Sequence, residues 1–123
     1  ETETPITDEI VDETAGLIAQ GNVSISESNG NVSLSAWTRS SKSMYLIGLK
    51  NISVERSSNG VNWTQEKTLT DKLKSNANYY SLSGHSVSVT GGYYYRITCD
   101  HYAEDSSGTS QSVSNTSNSV WID

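Results

Sequence analysis

The stretch that decides the fold reads Gly91-Gly92-Tyr93-Tyr94-Tyr95-Arg96-Ile97-Thr98-Cys99-Asp100. Aromatic and β-branched side chains dominate it, and these fit a pleated, half-buried surface better than a helix. Because successive side chains of a strand point to opposite faces, we expect one apolar core face and one polar face toward water. The core face carries Tyr93, Tyr95, Ile97 and Cys99, and the other face carries Tyr94, Arg96, Thr98 and Asp100. A Gly-Gly hinge before the stretch and a Ser/Gly loop after it predict a central strand bounded by turns.

Alternating segments elsewhere predict more strands. Val23-Ser24-Ile25-Ser26 and Val32-Ser33-Leu34-Ser35 flank the turn Ser28-Asn29-Gly30-Asn31, so residues 22–27 and 31–38 should form an antiparallel pair. The continuously apolar segment 44–49 is followed by alternation with shifted parity, which predicts a bulge or a break near Asn51.

Polar segments predict where strands end. Asn59-Gly60 suits a type I′ hairpin, while 39–43 and 70–78 read as loops, with a short edge strand over 79–82. The last strand is expected from about 111 to 122. Seven to eight short strands with closely spaced turns and no helix in the body are the pattern of an antiparallel β-sandwich.

Charge divides the chain into two parts. Its 123 residues suffice for one core, and six of its 14 acidic residues, with no basic residue, lie in the first twenty positions. We therefore expect an acidic extension over 1–20, either a linker or a short helix or added edge strand, and one domain over 21–123. The domain has no basic patch, which argues against nucleic-acid binding. No apolar run reaches the roughly 20 residues of a membrane helix.

Cysteine usage and composition indicate an exported protein. Cys99 is the single cysteine, so no intrachain disulfide can form, and its place on the core face predicts a small buried hydrophobe. The chain is rich in Ser, Asn and Thr and begins with Glu1 rather than Met. A removed secretory signal is the simplest interpretation, and it predicts a secreted or cell-surface location.

Several of these segments resemble fibronectin type III domains. The resemblance is carried by Val32-Ser33-Leu34-Ser35-Ala36-Trp37, by residues 52–60 with Trp63-Thr64, by residues 87–97 and by residues 107–120. It implies an immunoglobulin-like sandwich over about 31–122, with Trp37 as the core tryptophan and a tyrosine corner before the sixth strand. The extra Ala before Trp37 and the apolar 44–49 segment depart from the family pattern. The composition is also similar to that of small proteins exported by Gram-positive bacteria.

No constellation in the sequence indicates catalysis, a cofactor or a metal. His85 and His101 lack the partner spacing of a zinc site. Cys99 and His101 would share a strand face, but a nucleophile needs an exposed pocket and an oriented base. Asp100 and the acidic pair 104–105 could offer oxygens to Ca²⁺, although solvated turn acids are the simpler interpretation.

Aromatic residues are the stronger indication of function, because exposed rings stack on sugars or anchor protein interfaces. The possible binding aromatics are Tyr45, Trp63, Tyr79, Tyr80, Tyr94 and Tyr102. The alternative is that these rings only cover sheet faces. Trp37, Tyr93, Tyr95 and Trp121 are expected in the core.

The sequence therefore favours a non-enzymatic binding module, secreted or on a cell surface, that recognises a protein or a glycan through loops or a sheet face. The expected contact loops lie between 39 and 51, between 70 and 84, and between 103 and 110. The alternative is a secreted structural protein that self-assembles by edge-strand pairing.

Overall fold

The computed structural model describes residues 9–10 and 16–123, and every regular element within them is a β-strand. Expectations for positions 1–8 and 11–15 lie outside the described residues. The strands are β1 (Glu9–Ile10), β2 (Ile18–Ser28), β3 (Asn31–Ser57), β4 (Thr64–Leu69), β5 (Lys72–Val87), β6 (Tyr93–Glu104), β7 (Ser110–Thr116) and β8 (Val120–Ile122). All pair antiparallel in one sheet, which confirms the predicted all-β antiparallel class. Among the described residues there is no helix long and apolar enough to cross a membrane.

The 27-residue strand β3 organises the sheet. Its first part pairs with β2 and β5, its middle with β5 and β6, and its last part with β4 and β6. Because a strand has only two edges, β5 and β4 lie along one edge of β3, and β2 and β6 follow one another along the other. The strands β7 and β8 pair in turn with β6.

Irregularities bend β3 and let the sheet curl. The pairing of β3 with β6 shifts register between Lys50 and Ser53, and Asn51 adopts a left-handed backbone with φ of 53°. This confirms the break predicted near Asn51, since a bulge bends a strand and increases its twist. Residues 39–43, expected as a loop, lie within β3, but the register with β5 shifts across them.

Side chains join the ends of the curled sheet. The Gln111 Oε1 of β7 accepts hydrogen bonds from the backbone amides of Leu17 and Ile18, at 2.7 and 2.8 Å. The Asn118 side chain bonds both the amide and the carbonyl of Ile25 in β2, at 3.0 and 2.9 Å. These amide side chains satisfy backbone groups that the ladder leaves unpaired, and they hold β2 against the end of the chain.

The two Asn-Gly turns differ. Asn29 and Gly30 both have positive φ, 53° and 79°, and Ser28 pairs with Asn31, so this hairpin is the two-residue type I′ turn. At Asn59-Gly60 only the glycine has positive φ, so the type I′ prediction there is wrong. The Asn59 side chain instead accepts from the amides of Val61 and Asn62, at 2.8 and 2.9 Å, which delays β4 until Thr64.

The prediction of a loop over 70–78 is also wrong, because the 16-residue β5 begins at Lys72. Its polar side chains lack the apolar alternation of a half-buried strand. Backbone pairing with β3 from Val87 back to Lys72 decides the structure instead, as expected when tertiary context overrides a weak local preference.

Burial along β6 alternates as the sequence predicts, with Tyr95, Ile97, Cys99, His101 and Ala103 buried. The main core cluster also takes apolar residues from β2, β3, β5 and β8, and Tyr93 packs against it half-buried. A second cluster, formed by Ile18, Met44, Ile47 and Ala103, fills the other end of the sheet.

Two tryptophans do not lie where the sequence placed them. Ala36 is buried in the core, so its neighbour Trp37 lies half-buried on the outer face of β3. Trp121 is 44% exposed. The core prediction is therefore wrong for both, and the reason is strand parity. The inward positions of β3 are the even-numbered ones from Val32 to Ser40, and the inward residue beside Trp121 in β8 is Ile122.

Candidate binding site

Most of the six predicted binding aromatics are engaged by neighbouring side chains. The ring of Tyr79 lies 6.2 Å from that of Trp37, and the ring of Tyr94 lies 4.9 Å from that of Trp121 in an edge-to-face arrangement. The Trp63 ring is covered by the Arg96 guanidinium, whose Cζ lies 4.4 Å from the ring centroid.

Two further tyrosines are also held by neighbouring side chains, one by a cation and one by apolar packing. The Lys50 ammonium lies 4.0 Å from the ring centroid of Tyr102, whose hydroxyl donates to Glu104 at 2.8 Å. That hydrogen bond to a carboxylate raises the pKa of the Tyr102 phenol. Tyr80 packs against both apolar clusters, and burial raises the pKa of its phenol. These five rings contribute to covering and stabilising the sheet.

Tyr45 differs from the other five. Its side chain is 53% exposed, the largest fraction among the exposed tyrosines. Within residues 16–123, no other ring or cation stacks on Tyr45 and its hydroxyl has no hydrogen-bond partner. A large ring kept in water without a structural role marks a candidate contact residue.

Tyr45 lines an open cleft of about 410 Å³ at one end of the sheet, here named the Tyr45 cleft. Its lining includes the side chains of Lys42, Tyr45, Asn76, Asp105, Ser106 and Ser107. They come from the irregular part of β3, from β5 and from the loop between β6 and β7. The size falls within the range of roughly 300–1,000 Å³ that is typical of ligand sites.

Hydrogen bonds within the turn hold the loop wall of the cleft. The Asp105 Oδ1 accepts from the Ser107 amide at 2.9 Å, the Ser107 hydroxyl at 2.6 Å and the Thr109 amide at 3.1 Å. Two backbone bonds close the same turn, from the Asp105 amide to Thr109 and from the Gly108 amide to Asp105. Among the described residues Asp105 Oδ2 accepts no hydrogen bond, so one acceptor stays available on a fixed support.

Charge in the cleft is balanced. The Ser107 hydroxyl first, then the amides of Ser107 and Thr109 and the nearby Lys42 ammonium, lower the pKa of Asp105. Asp105 is therefore ionised at neutral pH and faces one exposed cation. The remaining polar groups, such as Asn76 and Ser106, are neutral hydrogen-bonding side chains.

A buried polar network lies between β2, β3, β6 and β7, away from solvent. The Thr38 hydroxyl donates to the Gly48 carbonyl at 2.9 Å, so its oxygen accepts from His101 Nδ1 at 2.8 Å. His101 Nε2 then accepts from the Asn115 amide at 3.0 Å, which fixes a neutral imidazole. Burial lowers the pKa of His101 to about 4, although the nearby Asp100 charge opposes this shift.

The other predicted chemical groups are engaged in structural contacts. Cys99 is 2% exposed, and burial followed by the Asp100 charge raises the pKa of its thiol to about 12, which is the reverse of an activated nucleophile. Asp100 accepts from Asn51 and Ser114, at 2.8 and 3.0 Å. In the part of the chain that the structure describes, no three His, Cys, Asp or Glu side chains gather where they could hold a metal ion.

The sequence predicted Tyr45 as a binding residue and Asp105 only as a possible calcium ligand, and it did not predict that the two share a cleft with Lys42 and Asn76. Lys42, Asn76 and Asp105 lie within the three segments expected to make contacts. Nothing local shows that these segments meet, because strand pairing over long sequence separations brings them together. The positive φ of Asn76, 54°, marks a backbone irregularity at the same place.

Comparison of the chain with family models, with curated proteins and with solved structures finds no match to any of them.

Proposed function

We propose that this protein is a non-enzymatic binding module, secreted or on a cell surface, that recognises a protein or glycan ligand at the Tyr45 cleft. One observation carries the proposal: Tyr45 is exposed and has no internal partner among the described residues, yet it stands in a cleft lined by polar side chains. Exposed rings that the fold does not use are the residues from which binding sites obtain most of their energy.

We further propose a fibronectin type III-like sandwich as the fold. Support comes from Tyr95, whose hydroxyl donates to the Thr90 carbonyl at 2.5 Å. A tyrosine that bonds back to the backbone a few residues upstream is typical of such domains. The outward position of Trp37 speaks against an ordinary member of the family, so the likeness would be that of a divergent relative.

Secretion is supported by composition alone. The hydroxyl- and amide-rich outer faces of the sheet and the single buried cysteine suit an extracellular module that needs no disulfide. Mass spectrometry of culture medium and cell fractions from the native source would test this location. Recovery mainly inside cells would contradict it.

A pull-down tests the function. Immobilised protein is exposed to surface extract and to cell-wall glycans from its native setting, beside the variants Tyr45→Ala and Tyr79→Ala. Tyr79 is the matched control, because it is a 44% exposed tyrosine outside the cleft lining. We expect a saturable partner that is lost only with Tyr45→Ala. Capture that is indifferent to Tyr45 would contradict the assignment of the cleft.

The second candidate function is self-assembly by edge-strand pairing. One observation favours it: the 16-residue β5 pairs only with β3 among the described strands, so one edge of β5 is open over its length. Long open edges are templates for another strand. Light scattering over a wide concentration range tests this candidate, since a strict monomer at high concentration would exclude it.

A further inference from the structure

We infer that the Tyr45 cleft binds an uncharged carbohydrate, with the Tyr45 ring stacked on a sugar ring and Asn76 and Asp105 hydrogen-bonded to its hydroxyls. This inference rests on the proposed binding function and names the chemical class of its ligand. A sugar ring presents an apolar C–H face beside a rim of hydroxyl groups. The Tyr45 cleft offers the complementary pair of features, an open aromatic ring beside polar side chains.

The hydrogen-bonding groups of the cleft suit hydroxyls in particular. A hydroxyl both donates and accepts, and an Asn amide also does both, whereas an ionised Asp only accepts. Asn76 makes no side-chain hydrogen bond within residues 16–123, and Asp105 Oδ2 is likewise open there. Both groups are therefore available to hydroxyls of a ligand in the cleft.

Preorganisation strengthens this assignment. Sugars are strongly hydrated, so a site must recover their hydrogen bonds without losing much entropy of its own. Asp105 is fixed by three hydrogen bonds to Oδ1 and by the closed turn around it. Asn76 and Tyr45 lie on strands rather than on a long loop, so their backbones, like the Asp105 carboxylate, are in place before a ligand arrives.

Other small ligands fit less well. An apolar molecule would require a mainly apolar lining, but hydroxyl, amide and charged groups predominate here. An anionic ligand would be attracted by Lys42, but the neighbouring Asp105 carboxylate already compensates that charge and would repel the ligand. A calcium ion needs six to eight oxygen ligands, and Asp105 is the single carboxylate among the described residues that line the cleft.

Macromolecular ligands of other classes also fit less well. The net charge of −6 disfavours nucleic acid, whose binding depends on neutralising phosphates with Lys and Arg. A stable protein interface covers about 800 Å² on each partner and centres on well-packed anchors. The cleft is small and open and combines polar side chains with one exposed ring, which suits a short glycan segment better.

Isothermal titration calorimetry tests the inference. The probes are the uncharged tetrasaccharides cellotetraose, maltotetraose, tetra-N-acetylchitotetraose and mannotetraose, with hyaluronan fragments as the anionic comparison. The proteins are wild type, Tyr45→Ala, Tyr45→Phe and the matched control Tyr79→Ala. Melting curves by circular dichroism verify that each variant is folded, which the exposure of both tyrosines leads us to expect.

We expect saturable binding of at least one uncharged tetrasaccharide by the wild type. Removing the stacked ring in Tyr45→Ala should weaken it by about tenfold or more, whereas Tyr45→Phe and Tyr79→Ala should stay within about threefold of wild type. Binding that survives Tyr45→Ala, or binding of the anionic fragments alone, would overturn the inference.

The failure of the inference is distinguishable from the failure of the proposed function. If no sugar binds but the pull-down captures a protein in a Tyr45-dependent way, the carbohydrate inference is overturned and the binding module stands. If neither assay finds a Tyr45-dependent partner, both are overturned.

Discussion

His101 makes the stability of this sheet depend on pH. Its imidazole is fully buried, donates from Nδ1 to Thr38 and accepts at Nε2 from Asn115. A second proton would replace the Nε2 acceptor by a donor that faces the Asn115 amide, and it would place a cation out of reach of water. Burial accordingly lowers the pKa of His101 from 6.5 to about 4, against the opposing influence of Asp100.

The size and sign of the effect follow from linkage. The unfolded chain takes up the proton near pH 6.5 and the folded chain only near pH 4, so acid favours unfolding. The stability that His101 contributes is fully present above pH 6.5 and is lost as the pH falls toward 4. The complete shift corresponds to about 3 kcal/mol, of which about 2 kcal/mol is lost between pH 7 and 5, where carboxylates titrate only to a small extent.

Urea denaturation of the His85→Gln variant, at half-unit steps between pH 7 and 5, measures how the free energy of unfolding depends on pH. In that variant His101 is the single histidine, so the loss of about 2 kcal/mol belongs to it. The double variant that also carries His101→Gln should be less stable throughout but nearly independent of pH in this range. The His101 pKa in folded protein can be read independently from an NMR titration of its ring. A folded-state pKa near 6.5, or equal slopes for the two variants, would refute the reasoning.

Three further substitutions or treatments test the packing. A Cβ added at Gly21 would lie 2.7 Å from the His101 ring, which two hydrogen bonds hold in place. Gly21→Ala should therefore lower the free energy of unfolding by about 1–3 kcal/mol in urea denaturation. An unchanged midpoint would contradict that contact. The Cys99 thiol should stay unreactive toward Ellman's reagent in native protein and react on unfolding, because it is buried and its pKa is about 12; rapid native labelling would show otherwise. Asn29→Ala should lower the free energy of unfolding by about 1 kcal/mol, because Asn29 has φ of 53° in the type I′ turn and alanine tolerates this left-handed conformation less well than asparagine. An unchanged free energy of unfolding would contradict this.

Much of the fold could be predicted from local patterns. The alternation of β6, the 29–30 hairpin and the break near Asn51 all follow from side-chain period and turn chemistry, which are properties of adjacent residues. The strand over 72–78 could not be predicted this way. Its polar sequence is compatible with a loop, and only pairing with β3 makes it a strand.

The residue type of the candidate site could be proposed from the sequence, but its position could not. Exposed tyrosines could be proposed from residue type, but the partners that engage Tyr79, Tyr94 and Tyr102 are set by cross-strand neighbours. Which tyrosine ring stays uncovered therefore depends on tertiary packing. The wrong core prediction for Trp37 has a similar cause, since a shift of one residue along a strand moves a side chain to the opposite face of the sheet.

The most direct test of the proposed site is an NMR titration of isotope-labelled protein with the uncharged tetrasaccharides. If sugars bind at the Tyr45 cleft, we expect saturable chemical-shift changes of backbone amides that are confined to residues 42–45, to Asn76 and to residues 105–109. Shifts centred on Trp37 and Tyr79, or no shift at any sugar concentration, would contradict carbohydrate binding at this cleft.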